Sequence, residues 1–363
     1  MFDLDPGEEL SLVVETARKF AETELAPYLR EAERERTVAP SVRETYSEIG
    51  LADLEIPDAL GGAGLGCVAR TLVNEELAAA DPGAALALDP FGPALYPLLE
   101  GLAEDAPELY GWVSALSRQI DSRAVLVTLE DAHLRVEGET LTGTVPWVPA
   151  DRIDSVIVLL EDEALMLDGG VDYGEVRGAG LRAAGASELG FQEAHIAQRI
   201  LNADAMGRAR ARARLYAASL LLGVMRHACD FSREYALQRE AFGRPIAHHQ
   251  ALAFLITDMQ MALDGARLLV HEAAWRLDQD AGGVREAAAA FAQCIEASRL
   301  VGPAGVQILG GHGFMADYPM EKAMREARAL GLMFGGFDAA IEEAGQLLCT
   351  SVDPIQLSFV ETV

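Results

Sequence analysis

The chain has 363 residues, half of them hydrophobic, so it can bury a large core and form two or three domains or one large one. Its 29 basic and 57 acidic residues give a formal charge of −28, which argues against nucleic acid or an anionic membrane surface as the main partner. No apolar run approaches the length of a membrane span, and the acidic residues 1–5 do not resemble a signal peptide, so we expect a cytoplasmic protein.

The four cysteines lie far apart in the sequence and form no C-x-x-C pair. We therefore expect reduced thiols, with neither a disulfide framework nor a metal site. The residues concerned are Cys67, Cys229, Cys294 and Cys349.

Residues 5–112 have a helical period. Further helices are predicted over Val42–Ile49 and Arg70–Ala80. The glycine-rich loop between Pro57 and Gly66 lacks the G-x-G-x-x-G spacing and has helical pattern on both sides, so we reject a dinucleotide fingerprint. A first helix, ending near Pro27, is predicted by apolar residues at three- and four-residue steps: Leu10, Leu12, Val13, Ala17, Phe20, Ala21 and Leu25.

The next segment, residues 122–199, has the pattern of short strands. Ala124–Thr128 is a strand-like run, and two hairpins are predicted, one of them turning at Gly138. Short strands with turn signals at this spacing suggest a small antiparallel sheet or barrel. The hairpin strands are Leu134–Gly138 with Leu141–Val145, and Ser155–Leu160 with Ala164–Leu167.

The remainder of the sequence is helical again. Four long helices with short joints are typical of a bundle. The sequence therefore predicts an α+β multidomain protein with an N-terminal helical domain (1–118), a middle antiparallel β domain (119–203) and a C-terminal four-helix bundle (204–363). The predicted bundle helices cover Leu221–Tyr235, Leu252–Ala273, Ala287–Val301 and Ala339–Leu348, with Pro245 between the first two.

Several local motifs follow one another in an order that resembles the acyl-CoA dehydrogenase family over nearly the whole chain. The N-terminal motifs are Gly50–Pro57, the G-G-x-G-L-G loop and Glu75–Asp81; the C-terminal ones are Tyr235–Ile246, His249–Gln250, Gly305–Phe314, Tyr318–Pro319 and Met324–Arg328. The resemblance implies FAD as cofactor, an acyl-CoA thioester as substrate, a homologous subunit as dimer or tetramer partner, and an electron-transfer flavoprotein as candidate electron acceptor.

In this family, FAD lies between the β domain and the C-terminal helices, and a neighbouring subunit covers part of it. The resemblance therefore implies a set of residues that meet the FAD of that neighbour, which we call the trans set. An arginine fork suits phosphate oxygens, and glycines let the backbone approach a phosphate closely. The trans set is Arg239, Phe242, Gln250, Gln307, Gly310 and Gly311.

Two further positions match family residues beside the flavin of their own subunit, and here the sequence departs from the family. Thr128 stands where the family has a threonine, but a short link to His133 replaces the glycine- and serine-rich loop that follows it. Trp147 matches the family tryptophan, and a core aromatic is an equal interpretation. The family's W-I-T threonine is Pro149 here, which offers neither a hydroxyl nor an N–H.

The family's catalytic base is also absent. A family dehydrogenase removes the α-proton of the thioester with a carboxylate while hydride passes to the flavin. Phe334 occupies the usual base position and Ala213 the alternative one. Asp338 is the nearest acid; we expect it to be a helix N-cap, and we keep it as a weak candidate for a relocated base.

Between Met206 and Arg244, eight arginines stand against three acidic residues, a local charge of +5. Because Arg208 and Arg212 share one helix face and the other two early arginines share another, we do not interpret them as nucleic-acid binding. We expect a solvated helix start or phosphate contacts, with Arg214 as a weak candidate for substrate binding.

Three functions follow, in order of preference. Some bacterial members of the family, including those acting on steroid side-chain thioesters, pair a base-carrying subunit with a degenerate one, and this sequence resembles the degenerate partner. The second function is a self-sufficient flavoenzyme with altered chemistry. The third is a non-enzymatic scaffold or binding protein of the same fold.

Overall fold

The computed structural model describes residues 6–101, 111, 113, 122–129, 132–167 and 169–350. Within these residues, the chain passes through a helical N-terminal region, a curled β-sheet and a helical C-terminal region. This order confirms the predicted fold class. The predicted boundary between residues 118 and 119 lies outside the described residues.

The N-terminal region is built from short helices around a buried apolar face. Phe20 is buried as predicted, but Leu12 is 66% exposed, so its assignment to that face is wrong. Leu12 lies two residues from Leu10, and that step turns a helical side chain to the opposite side. A π-helical turn, Ala21–Leu25, extends the first helix. The helices are α1 (Gly7–Phe20), α2 (Leu29–Glu35), α3 (Pro40–Glu48), α4 (Cys67–Ala80), α5 (Pro82–Leu88) and α6 (Leu95–Gly101).

The middle region is one sheet with strand order β1-β4-β5-β7-β3-β2, and β6 also pairs with β7. Both predicted hairpins are confirmed, with Gly138 at φ 60° in the first turn. The prediction of a purely antiparallel sheet is wrong, because β1 and β4 run parallel. The connection between these two strands is long enough for the crossover that a parallel pair needs. The strands are β1 (Ala124–Thr128), β2 (His133–Glu137), β3 (Thr140–Val148), β4 (Ser155–Leu159), β5 (Glu163–Leu167), β6 (Val171–Glu175) and β7 (Ser187–Leu201).

Long helices form the C-terminal region. The Asn202 side chain caps the first of them by accepting a hydrogen bond from the Ala205 N–H. Helix α9 continues past the predicted end at Val301 to Leu309 and contains the exposed Pro303. The helices are α7 (Ala203–Gln238), α8 (Gln250–Asp278), α9 (Val284–Leu309), α10 (Met320–Leu330) and α11 (Gly336–Thr350), and a two-stranded hairpin, β8 (Glu240–Ala241) with β9 (Arg244–Pro245), joins α7 to α8.

One large apolar core runs through both helical regions, and a smaller one lies on one side of the sheet. The four cysteines are free thiols; Cys349 is exposed and the other three are buried. In the part of the chain that the structure describes, no cluster of His, Cys, Asp or Glu could hold a metal ion. The helices within the same described ranges include none that is long and apolar enough to cross a bilayer.

Candidate functional site

A cavity of about 650 Å³ lies where the sheet meets helices α9 and α10. Its walls are mostly apolar and include Trp147, Met324 and Leu332, while the guanidinium-bearing side chains of Arg299 and Arg328 also line it. An apolar cavity with a few cationic groups suits a flat aromatic ligand that carries negative charge.

Trp147 lies on β3 and lines this cavity. This position does not decide between its two predicted roles, a residue beside the flavin and a core aromatic. A Cβ atom added at Gly178 would lie 3.2 Å from Trp147 Nε1. A side chain at position 178 would therefore press on the indole. The close approach of glycine backbone to the ring leaves the cavity open beside it.

Buried apolar side chains fill the two positions that the family resemblance assigns to the catalytic base. Ala213 is fully buried, and Phe334 is 3% exposed in the turn Met333–Gly335, which packs against α7 and β1. Phe334 has φ 54°, a left-handed conformation that a bulky residue adopts only when packing holds it there. Thr128, at the end of β1, is also buried. None of these three residues lines the Trp147 cavity.

Asp338, the acid nearest to Phe334 in sequence, does not cap a helix. Helix α11 begins at Gly336, so Asp338 is an exposed residue in the first turn, and the predicted N-cap role is wrong. A carboxylate there still interacts favourably with the helix dipole. The exposed position of Asp338 gives no desolvation that would suit a relocated base.

All six residues of the trans set are exposed. Gln250 begins α8 and Gln307 lies in the last turn of α9; because these helices are joined by a short loop, the two glutamines lie at the same end of the bundle. Gly310 has φ 57°, and a Cβ added there or at Gly311 would meet nothing within 4 Å. The structure therefore gathers free polar groups and open backbone at this end of the bundle.

Arg239 and Phe242 belong to the hairpin after α7. Phe242 (φ 55°) and Gly243 (φ 78°) form its turn, and two positive φ values are typical of the tight hairpin turns that match strand twist. This turn leaves the Phe242 ring 96% exposed. Arg239 forms no ion pair with any described residue, so its guanidinium is free to meet an external anion.

An aromatic cluster that the sequence reasoning missed stands beside Arg239. The Tyr235 hydroxyl lies 2.8 Å from His312 Nδ1, and the His312 ring stacks on Tyr318 with centroids 4.8 Å apart. These rings and Arg239 line one cavity of about 400 Å³. The sequence carries both motifs, at Tyr235 and at Gly305–Phe314, but the contact between them forms only when α7 and α9 pack together in the tertiary fold.

The early arginines of α7 mostly neutralise the chain's own acids. Arg212 bonds Glu55 and Glu100 at 2.9 and 2.7 Å, and Arg214, 1% exposed, pairs with Glu343. The expectation of solvated or phosphate-binding arginines is wrong for these two residues. The side chains that would meet substrate phosphate are already paired inside the protein.

A second ionic cluster joins α1, α4 and α7. Arg18 and Arg226 both bond Glu76, at 2.9 and 2.7 Å. Burial would raise the pKa of Glu76, but the hydrogen bonds from these two guanidinium groups outweigh it and lower the pKa to about 2. This carboxylate is therefore a charged structural group and not a proton acceptor near neutral pH.

The residues that would meet a neighbour's FAD suit that cofactor better than the residues that would hold FAD in this chain's own site. The trans set fits the pyrophosphate of FAD, because it offers a guanidinium that pairs with no acid among the described residues, an exposed aromatic ring and open glycine backbone. The chain's own side fits poorly, since Thr128 is buried and Pro149 brings no N–H. Residues 130 and 131 of the short link after Thr128 lie outside the described residues.

The order of a helical region, a curled β-sheet and a second helical region defines a class of multidomain proteins, and comparison with known proteins identifies that class. The acyl-CoA dehydrogenase N-terminal domain matches residues 7–100, and the C-terminal domain of the same family matches residues 204–342. The chain belongs to the acyl-CoA dehydrogenase family.

Relatives and solved structures agree with this assignment. Human mitochondrial short-chain specific acyl-CoA dehydrogenase is 29% identical over 356 residues, which cover 88% of this chain and 85% of that protein. Butyryl-CoA dehydrogenase from Megasphaera elsdenii has the same fold, with TM-score 0.84, 22% identity and coverage of 96% and 100% of the two chains. The ChsE4-ChsE5 complex from Mycobacterium tuberculosis matches with TM-score 0.83, 22% identity and coverage of 97% and 100%.

Proposed function

We propose that this chain is a subunit of an FAD-dependent acyl-CoA dehydrogenase and that it completes the FAD site of a homologous, base-carrying partner. The reaction is the α,β-desaturation of an acyl-CoA thioester. Bound FAD supplies the hydride acceptor, and the partner's carboxylate removes the α-proton.

One observation carries the proposal: the positions assigned to the catalytic base have lost their acid, whereas the trans set remains exposed. Phe334 and Ala213, at the family's base positions, are buried apolar residues, and no proton acceptor stands there. In contrast, all residues of the trans set are exposed, and Arg239 forms no ion pair with any described residue. A chain that kept only its own active site would show the reverse pattern.

Each exposed group has a separate task in this proposal. The Arg239 guanidinium holds a phosphate oxygen of the partner's cofactor through charge-assisted hydrogen bonds. Phe242 provides an apolar surface that excludes water from the neighbouring part of the dinucleotide. Gly310 and Gly311 let backbone approach the pyrophosphate without a side chain in the way.

Two similar structures support the partners in this proposal. One is the complex of two differently named chains, ChsE4 and ChsE5, which supports an assembly of homologous but unequal subunits. Another, at TM-score 0.82 and 22% identity, is described as the electron transferring flavoprotein of Acidaminococcus fermentans. It supports an electron-transfer flavoprotein as the electron acceptor.

Purification of this chain alone and together with a homologous base-carrying subunit tests the proposal by absorbance in the flavin bands and by acyl-CoA-dependent bleaching. We expect a colourless chain alone and a yellow, active complex with the partner. A yellow, fully active homo-oligomer of this chain would contradict the proposal.

The cavity beside Trp147 favours a second function, a self-sufficient flavoenzyme with altered chemistry, because it could accept a flat ring system in this chain. That function predicts bound FAD in the isolated chain without bleaching by acyl-CoA. The absence of FAD from every pairing would instead favour a scaffold or binding protein.

A further inference from the structure

His249 lies between the hairpin after α7 and the start of α8, and its imidazole contacts both strands of that hairpin. Nε2 lies 3.1 Å from the carbonyl oxygen of Ala241 on β8. Nδ1 lies 3.2 Å from Nη2 of Arg244 on β9. These two contacts bridge the strands on either side of the turn at Phe242, and the proposed function gives His249 no task so far.

The partners of the two ring nitrogens decide which nitrogen carries the proton. A guanidinium can only donate, so Nδ1 accepts a hydrogen bond from Arg244. A carbonyl oxygen can only accept, so Nε2 carries the proton and donates to Ala241. Both nitrogens of His249 are therefore used inside the chain. A histidine with these two bonds orients its neighbours and leaves no ring nitrogen for a ligand.

The turn beside His249 has a strained backbone. Phe242 has φ 55°, a left-handed conformation that is unfavourable for a bulky side chain. Strands β8 and β9 have two residues each, so few backbone hydrogen bonds oppose that strain. The rings of His249 and Phe242 meet edge to face, with centroids 6.0 Å apart and an interplanar angle of 87°. The bridging hydrogen bonds and this ring contact together stabilise the turn.

We propose that His249 is a positioning residue, which holds the Phe242 turn and the Arg244 guanidinium in the arrangement that meets the partner's FAD. The identity of the ligand rests on the proposed function. Arg244 is exposed and forms no ion pair with any described residue, so its remaining N–H groups are available to a phosphate oxygen. Without His249, the hairpin would have to be ordered when FAD binds, and that ordering would lower the affinity.

Hydrogen exchange of the isolated chain tests the stabilising effect without any cofactor. The Ile246 amide donates to the Arg239 carbonyl at 2.8 Å across the hairpin and reports its opening. His249→Phe keeps a ring beside the turn but loses both hydrogen bonds, so this amide should exchange about 10-fold faster. His248→Phe, at the exposed neighbouring histidine, is the matched control and should leave the rate unchanged. Equal rates in the wild type and in His249→Phe would overturn the proposal.

Titration of the mixed assembly, the complex of this chain with the homologous base-carrying subunit, tests the effect on the cofactor. His249→Phe should weaken FAD binding by about 10-fold. Saturating FAD should restore the wild-type turnover, because His249 supplies no reacting group. His249→Gln, whose amide can donate to Ala241, should retain most of the affinity. Unchanged FAD affinity in His249→Phe, or turnover that stays low at saturating FAD, would overturn the proposal.

A comparison with Arg239→Ala separates this inference from the proposed function. A mixed assembly in which Arg239→Ala lowers FAD affinity and His249→Phe does not would overturn the role of His249 alone. A wild-type assembly that binds no FAD would contradict the proposed function and, with it, the role of His249 toward the cofactor. The exchange rate of the Ile246 amide would still decide whether His249 stabilises the hairpin.

Discussion

Replacing Phe334 separates a packing role from a catalytic one. The side chain is 97% removed from solvent, so Phe334→Ala should cost about 3–5 kcal/mol in the free energy of unfolding. The left-handed backbone offers no compensation, because alanine carries the same steric penalty at φ 54° as phenylalanine. Phe334→Leu keeps most of the volume and should cost less than about 2 kcal/mol.

Urea unfolding followed by circular dichroism measures these losses, with Phe314→Ala as the control. Phe314 is 76% exposed, and its truncation should change stability by no more than about 0.5 kcal/mol. In the mixed assembly, Phe334→Leu should retain the dehydrogenase activity, since the position supplies no reacting group. A loss below 1 kcal/mol for Phe334→Ala, or loss of activity with a stable Phe334→Leu, would refute the reasoning.

Three further predictions concern ion pairs and the Trp147 cavity. Because the pKa of Glu76 is lowered from 4.5 to about 2 in the folded state, its stabilising effect is present above about pH 4.5 and is lost as pH falls towards about 2; unfolding of Glu76→Gln should therefore depend less steeply on pH in that window. Glu343→Ala leaves the buried Arg214 guanidinium without its partner and should lower the free energy of unfolding by about 1–3 kcal/mol, more than Arg214→Met, which removes that buried charge and leaves Glu343 at a partly exposed site. Gly178→Val should press on the Trp147 indole and change its fluorescence while leaving the FAD content of the mixed assembly unchanged; loss of FAD would favour the self-sufficient flavoenzyme.

The order of elements was predictable because it depends on local periodicity and turn chemistry. The alternation in residues 133–145 and Gly138 at the turn were enough to place the first hairpin. The parallel pairing of β1 with β4 was not, since pairing of distant strands depends on edges that local pattern does not encode. The helix predicted to end at Val301 continues to Leu309 with exposed Pro303 inside it, because tertiary packing holds the rest of the helix.

Site residues were predictable by type, but their surroundings were not. Arg212 finds its partners at Glu55 and Glu100, more than a hundred residues earlier, so the sequence run of arginines gave no sign that it would be neutralised. The contact of the Tyr235 hydroxyl with His312 likewise arises only when α7 packs against the end of α9. Exposure of the trans set, which carries the functional proposal, depends on the same tertiary arrangement.

The central claim is that Arg239 serves the cofactor of a partner subunit. Its most direct test is the FAD content of the purified mixed assembly with Arg239→Ala, against Arg233→Ala as a matched control on the same chain; Arg233 is 54% exposed and pairs only with Asp230 at 3.0 Å among the described residues. We expect Arg239→Ala to release FAD while the assembly stays intact, and Arg233→Ala to retain it. Full FAD content with Arg239→Ala would contradict the account.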